Sequence, residues 1–209
     1  MDAIHSKSTL VYRHVRRALR SGCYLPGQRI DPAALAAKFN TSPTPVRFAL
    51  YRLVGEALVA DHARAGLHVP LPTEAALRDL YDWMERLLLM ACDIGVMPTL
   101  RETRTLEIAS ADDDLVKLTW QLFDSIAHAT AHRPLYHAVK QANDRLAPIR
   151  RVEQGLLEHG FEELLGLNRC WQVRDIPALK SALHDYHERR KQLVLCIVAL
   201  LNDRSDELH

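Results

Sequence analysis

Apolar residues between positions 31 and 53 fall into two short runs of helical spacing. Leu35, Ala36 and Phe39 mark one face of the first, and Val46, Ala49, Leu50 and Leu53 recur at three- and four-residue intervals in the second. Asp31 is an N-cap residue type and Pro32 sits at the first helical position, where its missing N–H costs nothing. Asn40-Thr41-Ser42 breaks the pattern with turn and cap residues, and Pro43 stands just inside the second start. The pattern predicts two short helices joined by a tight turn, with Thr44, Arg47, Phe48, Tyr51 and Arg52 left for the other faces of the second. Upstream, Val11 to Arg20 reads as an amphipathic basic helix closed by Ser21-Gly22. Downstream, two short β-prone runs flank a small basic loop ending in Gly66, which predicts a hairpin.

Pro70-Leu71-Pro72-Thr73 reads as a linker, because two prolines so close together continue neither strand nor helix. Beyond it the periodicity is helical throughout. Thr73 caps a run with Leu77, Leu80, Tyr81, Met84, Leu87 and Leu88 on one side, ending near Gly95. Further helices are predicted from Pro98 to about Ser110, after Asp112-Asp113-Asp114, and from Leu135 to Leu157 with a kink at Pro148. Two more are expected over 161–173 and from Ala178 to Leu201. The fold class expected is mainly α, a winged helix-turn-helix of three helices plus a small β-hairpin followed by a six-helix antiparallel bundle. The domain boundary falls between residues 1–72 and 73–209.

Charge separates the same two parts. Residues 1–72 hold ten Lys/Arg against four Asp/Glu, whereas the rest hold seventeen against twenty-two. A basic head on an acidic body is expected where only the head meets phosphate, uneven helix-surface charge being the plainer alternative. The four cysteines, Cys23, Cys92, Cys170 and Cys196, form no C-x-x-C pair and are expected as buried free thiols. The first residues carry no signal or transit pattern, and the longest apolar run, Leu193 to Leu201, is too short to span a bilayer, so a cytoplasmic protein without membrane contact is expected. No nucleophile beside a base and no Gly-rich phosphate loop occur, so an enzyme is not expected.

Residues 8–70 resemble the winged helix-turn-helix of the GntR family of bacterial transcriptional regulators. The resemblance lies in Leu-Pro-Gly-Gln-Arg-Ile at 25–30, Leu35-Ala36, Ser42-x-Thr44-Pro45-Val46-Arg47-x-Ala49-Leu50, Arg52-Leu53, Glu56-x-Leu58-Val59 and Gly66-x-x-Val69. The remainder resembles the six-helix FCD-type ligand-binding domain of the FadR branch, in Leu77 with Asp79-Leu80-Tyr81, Leu122-Phe123 with Ala127 and Ala129-Thr130, and Asp175 with Ala178, Ala182 and Leu183. This resemblance implies a homodimeric regulator, a repressor in the simplest case, that reads palindromic double-stranded operator DNA and answers to a small-molecule effector. DNA contact is expected from Thr41, Ser42, Thr44, Arg47, Arg52, Arg64 and Gly66, with phosphate contacts from among Arg13, Arg16, Arg17 and Arg20.

The sequence also departs from the family pattern. Pro43 stands where an Arg usually opens the recognition helix, Phe48 where a Glu is usual and Ala65 where a basic residue precedes the wing glycine, with Arg64 one residue displaced. The divalent-metal ligands of many members fall on Trp120, Asp124, Leu164 and Tyr186, with His187 one residue out of register. Trp and Leu cannot ligate, so no metal or other cofactor is expected, although Asp124 with His128 or His184 with His187 would be an improvised pair. Met84 replaces an Arg that usually meets an acidic effector. An effector pocket at Trp83, Met84, Trp120, Asp124, Leu164 and His187 is therefore expected to take an apolar or aromatic ligand, the equal alternative being a core filled by these side chains. A further alternative is a head that has lost DNA binding and works by protein contact.

Overall fold

The computed structural model describes residues 2–63, 66–96 and 114–207. They divide into two compact units, residues 1–71 with 199–209, and residues 72–198. The fold is the mainly helical one expected, with a single small hairpin among the described residues.

In the first unit, α1 (Asp2–Arg20), α2 (Pro32–Lys38) and α3 (Pro43–Gly55) precede the antiparallel strands β1 (Ala60–His62) and β2 (Gly66–His68). Asp31 caps α2 as expected, its Oδ1 accepting from Ala33 N at 2.8 Å. Ser42 takes the N-cap place of α3, but its side chain makes no capping bond. α1 and α2 both pack on α3, where Val46, Leu50 and Leu53 are wholly buried among Val11, Val15, Leu19, Leu35, Leu58 and Val69. The hairpin is registered Ala60 to His68 and His62 to Gly66. The segment before α2 lies along its other edge, with Ile30 N donating to Leu67 O at 2.8 Å and Val69 N to Gln28 O at 2.9 Å.

Helices α1, α2 and α3 end by one device, a left-handed residue that lets the next N–H groups turn back on the final carbonyls. In α1 it is Gly22 (φ +78°), with Cys23 N donating to Ala18 O at 2.9 Å; in α2 it is Asn40 (φ +44°), with Thr41 N donating to Ala36 O at 3.0 Å; in α3 it is Ala57 (φ +55°), with Leu58 N donating to Leu53 O at 3.0 Å. Glycine takes this conformation freely, asparagine tolerates it, and alanine is strained in it.

The Leu-Pro-Gly-Gln run has a physical reading. Pro26 and Gly27 sit at the centre of a turn closed by Gln28 N donating to Leu25 O at 3.0 Å, and Gly27 has φ +83°. Pro then positive-φ Gly is the type II pattern. Ser205, in the last helix, packs directly against the bare Cα of Gly27, so a side chain there would collide with it. This contact belongs to the C-terminal residues 199–209, which the sequence reading kept with the second domain and which group instead with the first unit.

The second unit contains α4 (Glu74–Ile94), α5 (Leu115–His128), α6 (Arg133–Glu153), α7 (Gly160–Val173), α8 (Ile176–Gln192) and the start of α9 (Val194–Asp206). Thr73, Asp114 and Asp175 cap α4, α5 and α8 through their side chains. The helix expected over 98–110 lies outside the described residues. The expected last helix, 178–201, is instead two. At Leu193 the N–H bonds Arg190 O at 3.1 Å, three residues back, and the helix restarts at Val194. No proline or glycine marks that break, so periodicity could not show it. α6 runs through Pro148 and stops at Glu153, short of Leu157, because Gly155 follows the cap and Leu156 and Leu157 both donate to Glu153 O. Cys92 is buried, and burial pushes its thiol up to about 11, but Cys23 and Cys196 are exposed, against the expectation that all four lie inside. Among the described residues no helix is long and apolar enough to cross a membrane.

The two left-handed positions make opposite predictions. Gly27→Ala is expected to destabilise the protein by about 2 kcal/mol or more, through both conformational strain and the Ser205 collision. Ala57→Gly is expected to stabilise it by up to about 1 kcal/mol by relieving the same kind of strain. Urea unfolding midpoints of the two variants, moving in opposite directions, check both.

Candidate functional site

The fixed inner face of α3 determines what its outer face presents. With Pro45, Val46, Ala49, Leu50 and Leu53 buried, Ser42, Pro43, Thr44, Arg47, Phe48, Tyr51 and Arg52 are exposed. Pro43 and Pro45 remove two of the N–H groups that an N-terminal turn normally offers, and the Ser42 hydroxyl does not cap those that remain. The start of α3 therefore leaves the Thr44 N–H as the donor of its first turn, uncapped by the Ser42 side chain at the positive helix end. Thr41, in the turn, is half-buried, and Lys7 Nζ donates to Asn40 O at 3.1 Å, holding the turn from α1.

The two arginines of this face differ. Arg47 makes no hydrogen bond or ion pair among the described residues. Arg52 lies with its guanidinium 3.8 Å from the Tyr12 ring centroid, and its Nε donates to Glu56 Oε1 at 3.3 Å. Tyr12 OH donates to Glu56 at 2.9 Å and accepts from Arg16 Nη1 at 2.6 Å. Burial first, and then the bond to Glu56, raises the Tyr12 phenol above its ordinary pKa. Arg16 and Arg52 are thus occupied in joining α1 to α3, whereas Arg13 and Arg17 are exposed.

Sequence reasoning gave the aromatic residues of α3 no role, yet Phe48 is 63% and Tyr51 54% exposed. Helical spacing already put them on the outer face, and that was the available signal. Arg29 was missed altogether. It is exposed, bridges to His68 of β2, and brings its guanidinium beside Gly66, whose φ is +81°. Nothing in the sequence announces that bridge. Arg64 and Ala65 lie outside the described residues.

The six residues expected around an effector pocket differ in their surroundings. Trp83 is 48% exposed on α4, while Met84, Leu164 and His187 belong to the core. Trp120 Nε1 donates to Asp144 Oδ1 at 2.7 Å, and half-buried Asp124 has its carboxyl pKa raised, chiefly by burial. One small open cavity lies among Val116, Thr119, Arg150, Glu153, Tyr186 and Arg190. At the core Arg190 donates to Glu153 Oε2 at 3.1 Å and to Glu163 Oε2 at 2.7 Å, and Tyr81 OH donates to Glu153 Oε1.

Of the improvised metal pairs, His184 with His187 is divided between surface and core. His184 is exposed and pairs with Glu85 at 2.7 Å, whereas His187 is fully buried with Nδ1 on Leu183 O at 2.6 Å. Among the described residues Glu85, His184 and Glu188 bring three donor atoms together, but Lys191 pairs with both glutamates and already supplies the positive charge.

A helical pair whose second member turns an uncapped N-terminus and a row of polar and aromatic side chains outward, beside a β-hairpin, is a winged helix-turn-helix of the DNA-binding class. Residues 7–69 match the family model of the bacterial regulatory proteins of the gntR family. Over a longer stretch the chain is 22% identical across 180 residues to the uncharacterized HTH-type transcriptional regulator YdhC of Bacillus subtilis strain 168, covering 76% of this chain and 80% of that protein. The fold is that of E. coli McbR/YncC, with a TM-score of 0.72 at 20% identity over 90% of this chain and 97% of the other. It is also that of a GntR regulator from Rhodococcus sp. RHA1, with a TM-score of 0.71 at 17% identity over 91% and 98%.

His187 generates a pH prediction. Burial depresses its pKa to about 3, so the native imidazole stays neutral while the unfolded chain takes up a proton near the ordinary value of 6.5. Stability from this group is therefore intact above pH 6.5 and lost as pH falls toward 3, with a slope approaching about 1.4 kcal/mol per pH unit. In His187→Leu that contribution disappears, and urea midpoints between pH 7 and pH 4.5 should fall less steeply than in wild type. Parallel curves would show that His187 is not the neutral buried group.

Proposed function

We propose that this chain is a transcriptional regulator that binds palindromic double-stranded operator DNA as a homodimer. In the simplest case it acts as a repressor whose grip on DNA is altered by a small molecule held in the helical domain, residues 73–209. The observation that carries the reading is Arg47, outward and unpartnered on the recognition helix of a gntR-type head. In the major groove such a guanidinium donates two parallel bonds to a guanine, while Thr44, Ser42 and Thr41 at the same helix start reach phosphate or base edges. Gly66 lets the wing backbone come close to DNA, with Arg64 as the displaced basic residue and Arg29 as a second charge at the wing base. Arg52 acts indirectly, through the Tyr12 and Glu56 cluster that fixes α3. One short recognition helix reads few base pairs, so operator-level affinity calls for two heads on two half-sites. No enzymatic step and no metal or cofactor enters this reading, and its place of work is the cytoplasm.

A second reading has one observation in its favour. Phe48 and Tyr51 expose large apolar surface on the face that would meet DNA, as a protein-binding helix would. The same rings suit contact with thymine methyl groups, so this surface is compatible with both readings.

The deciding experiment is a titration against DNA from the protein's own promoter region at two salt concentrations, with Arg47→Ala alongside. Binding well above random DNA, weakening with salt, and losing tenfold or more affinity in Arg47→Ala is the expected result. Affinity unchanged by Arg47→Ala would favour the protein-contact reading.

A further inference from the structure

Phe48 and Tyr51 are large side chains that the packing of the head does not use. Its core closes over Val46, Leu50 and Leu53, and Tyr24, Phe39 and Val54 pack against the margin, whereas Phe48 is 63% and Tyr51 54% exposed. Residues three and four apart are neighbours on a helix, so Thr44, Arg47, Phe48 and Tyr51 form one continuous outward patch. Successive residues rise by about 1.5 Å along the helix, less than the roughly 3.4 Å between stacked base pairs. Arg47 and Phe48 therefore reach the same base pair or neighbouring ones. Charge indicates what the patch meets. Residues 1–72 hold ten Lys/Arg against four Asp/Glu, the Thr44 N–H is uncapped at the positive end of α3, and Arg47 stands beside the rings, a setting complementary to phosphate.

Apolar contact in the major groove is selective, because the groove offers one apolar feature, the C5-methyl group of thymine. A phenyl ring over the N4 amino group of cytosine or the O6 of guanine strips water from a polar edge and returns no hydrogen bond. We propose that Phe48 selects a thymine by its methyl group, at the base step next to the guanine that Arg47 holds, with the Tyr51 ring flanking the same methyl from the next turn. The operator half-site then carries guanine and thymine side by side, and the thymine is recognised by the group that distinguishes it from uracil. Phe48 stands where the resembling family usually has a Glu, so this choice of base is particular to this chain. It rests on the operator-binding reading of the head, to which it adds a base preference and the residue that sets it.

The experiment selects bound fragments from a random duplex library with the full chain. The best fragment is then titrated with that thymine replaced by deoxyuridine, which keeps every hydrogen-bonding group and removes only the methyl. Sites selected by the wild type should carry guanine next to thymine, and deoxyuridine should weaken their binding about fourfold, the worth of one buried methyl group. Phe48→Ala should bind more weakly, still select the guanine and be indifferent to the methyl, so that the two losses do not add. Phe48→Leu, apolar and shorter, should keep a preference for thymine over deoxyuridine. Phe48 is exposed, so urea midpoints of both variants should match the wild type, which separates a lost contact from a lost fold. Selected sites without that thymine, no deoxyuridine penalty in the wild type, or a penalty as large in Phe48→Ala would overturn the proposal while operator binding stands. Selection of no fragment at all would overturn both and return the patch to the protein-contact reading.

Discussion

The head depends on one helix being used on both sides. α3 places Val46, Ala49, Leu50 and Leu53 at no more than 1% exposure, and burying aliphatic side chains of this size is worth about 1.5–3 kcal/mol each for the larger ones. That burial sets the rotation of the helix about its axis. Once it is fixed, the identity of the outward residues follows from the 3.6-residue period, and Arg47, Phe48 and Tyr51 have no other place to go. The cluster of Tyr12, Arg16, Arg52 and Glu56 adds a polar tie between α1 and α3. A basic residue near a recognition helix is therefore not automatically a DNA contact, since two arginines of this head serve its own architecture.

Legibility followed local chemistry. The caps at Asp31 and Thr73, the buried apolar face of α3 and the hairpin whose loop ends at Gly66 were all readable, because each rests on residues close to one another in the chain. The break at Leu193 was not, because it replaces one backbone bond with a shorter one and no side chain signals it. Arg29 was illegible for another reason. Its place beside Gly66 comes from pairing of distant segments, and a single sequence contains no such pairing information.

The candidate pocket shows where analogy of position stops. Trp83, Met84, Trp120, Asp124, Leu164 and His187 were grouped because corresponding positions surround a ligand in a resembling family. Here Met84, Leu164 and His187 pack as core, and burial keeps the His187 imidazole neutral. The cavity lies instead where α5 and α7 begin, next to Arg150 and Arg190. Neither arginine stood out in the sequence, since each lies in a run of basic residues that reads as solvated helix surface: Arg150-Arg151 and Arg189-Arg190-Lys191. Burial alone distinguishes them from their neighbours.

Unpaired arginines do not all carry the same information. Arg47 is exposed, so water satisfies its guanidinium, and leaving it without a partner costs little. Its freedom permits DNA contact but does not demand it, and the weight of that reading comes from the helix it stands on. Arg190 is buried and costly, but two carboxylates offset the cost within the fold. Arg150 is as deeply buried as Arg190, yet its partners are an amide and an aromatic ring. Its Nε and Nη2 are shut off from solvent and find no acceptor among the described residues, so Arg150 rests on the Asn143 amide and the Phe123 ring rather than on a carboxylate within that set.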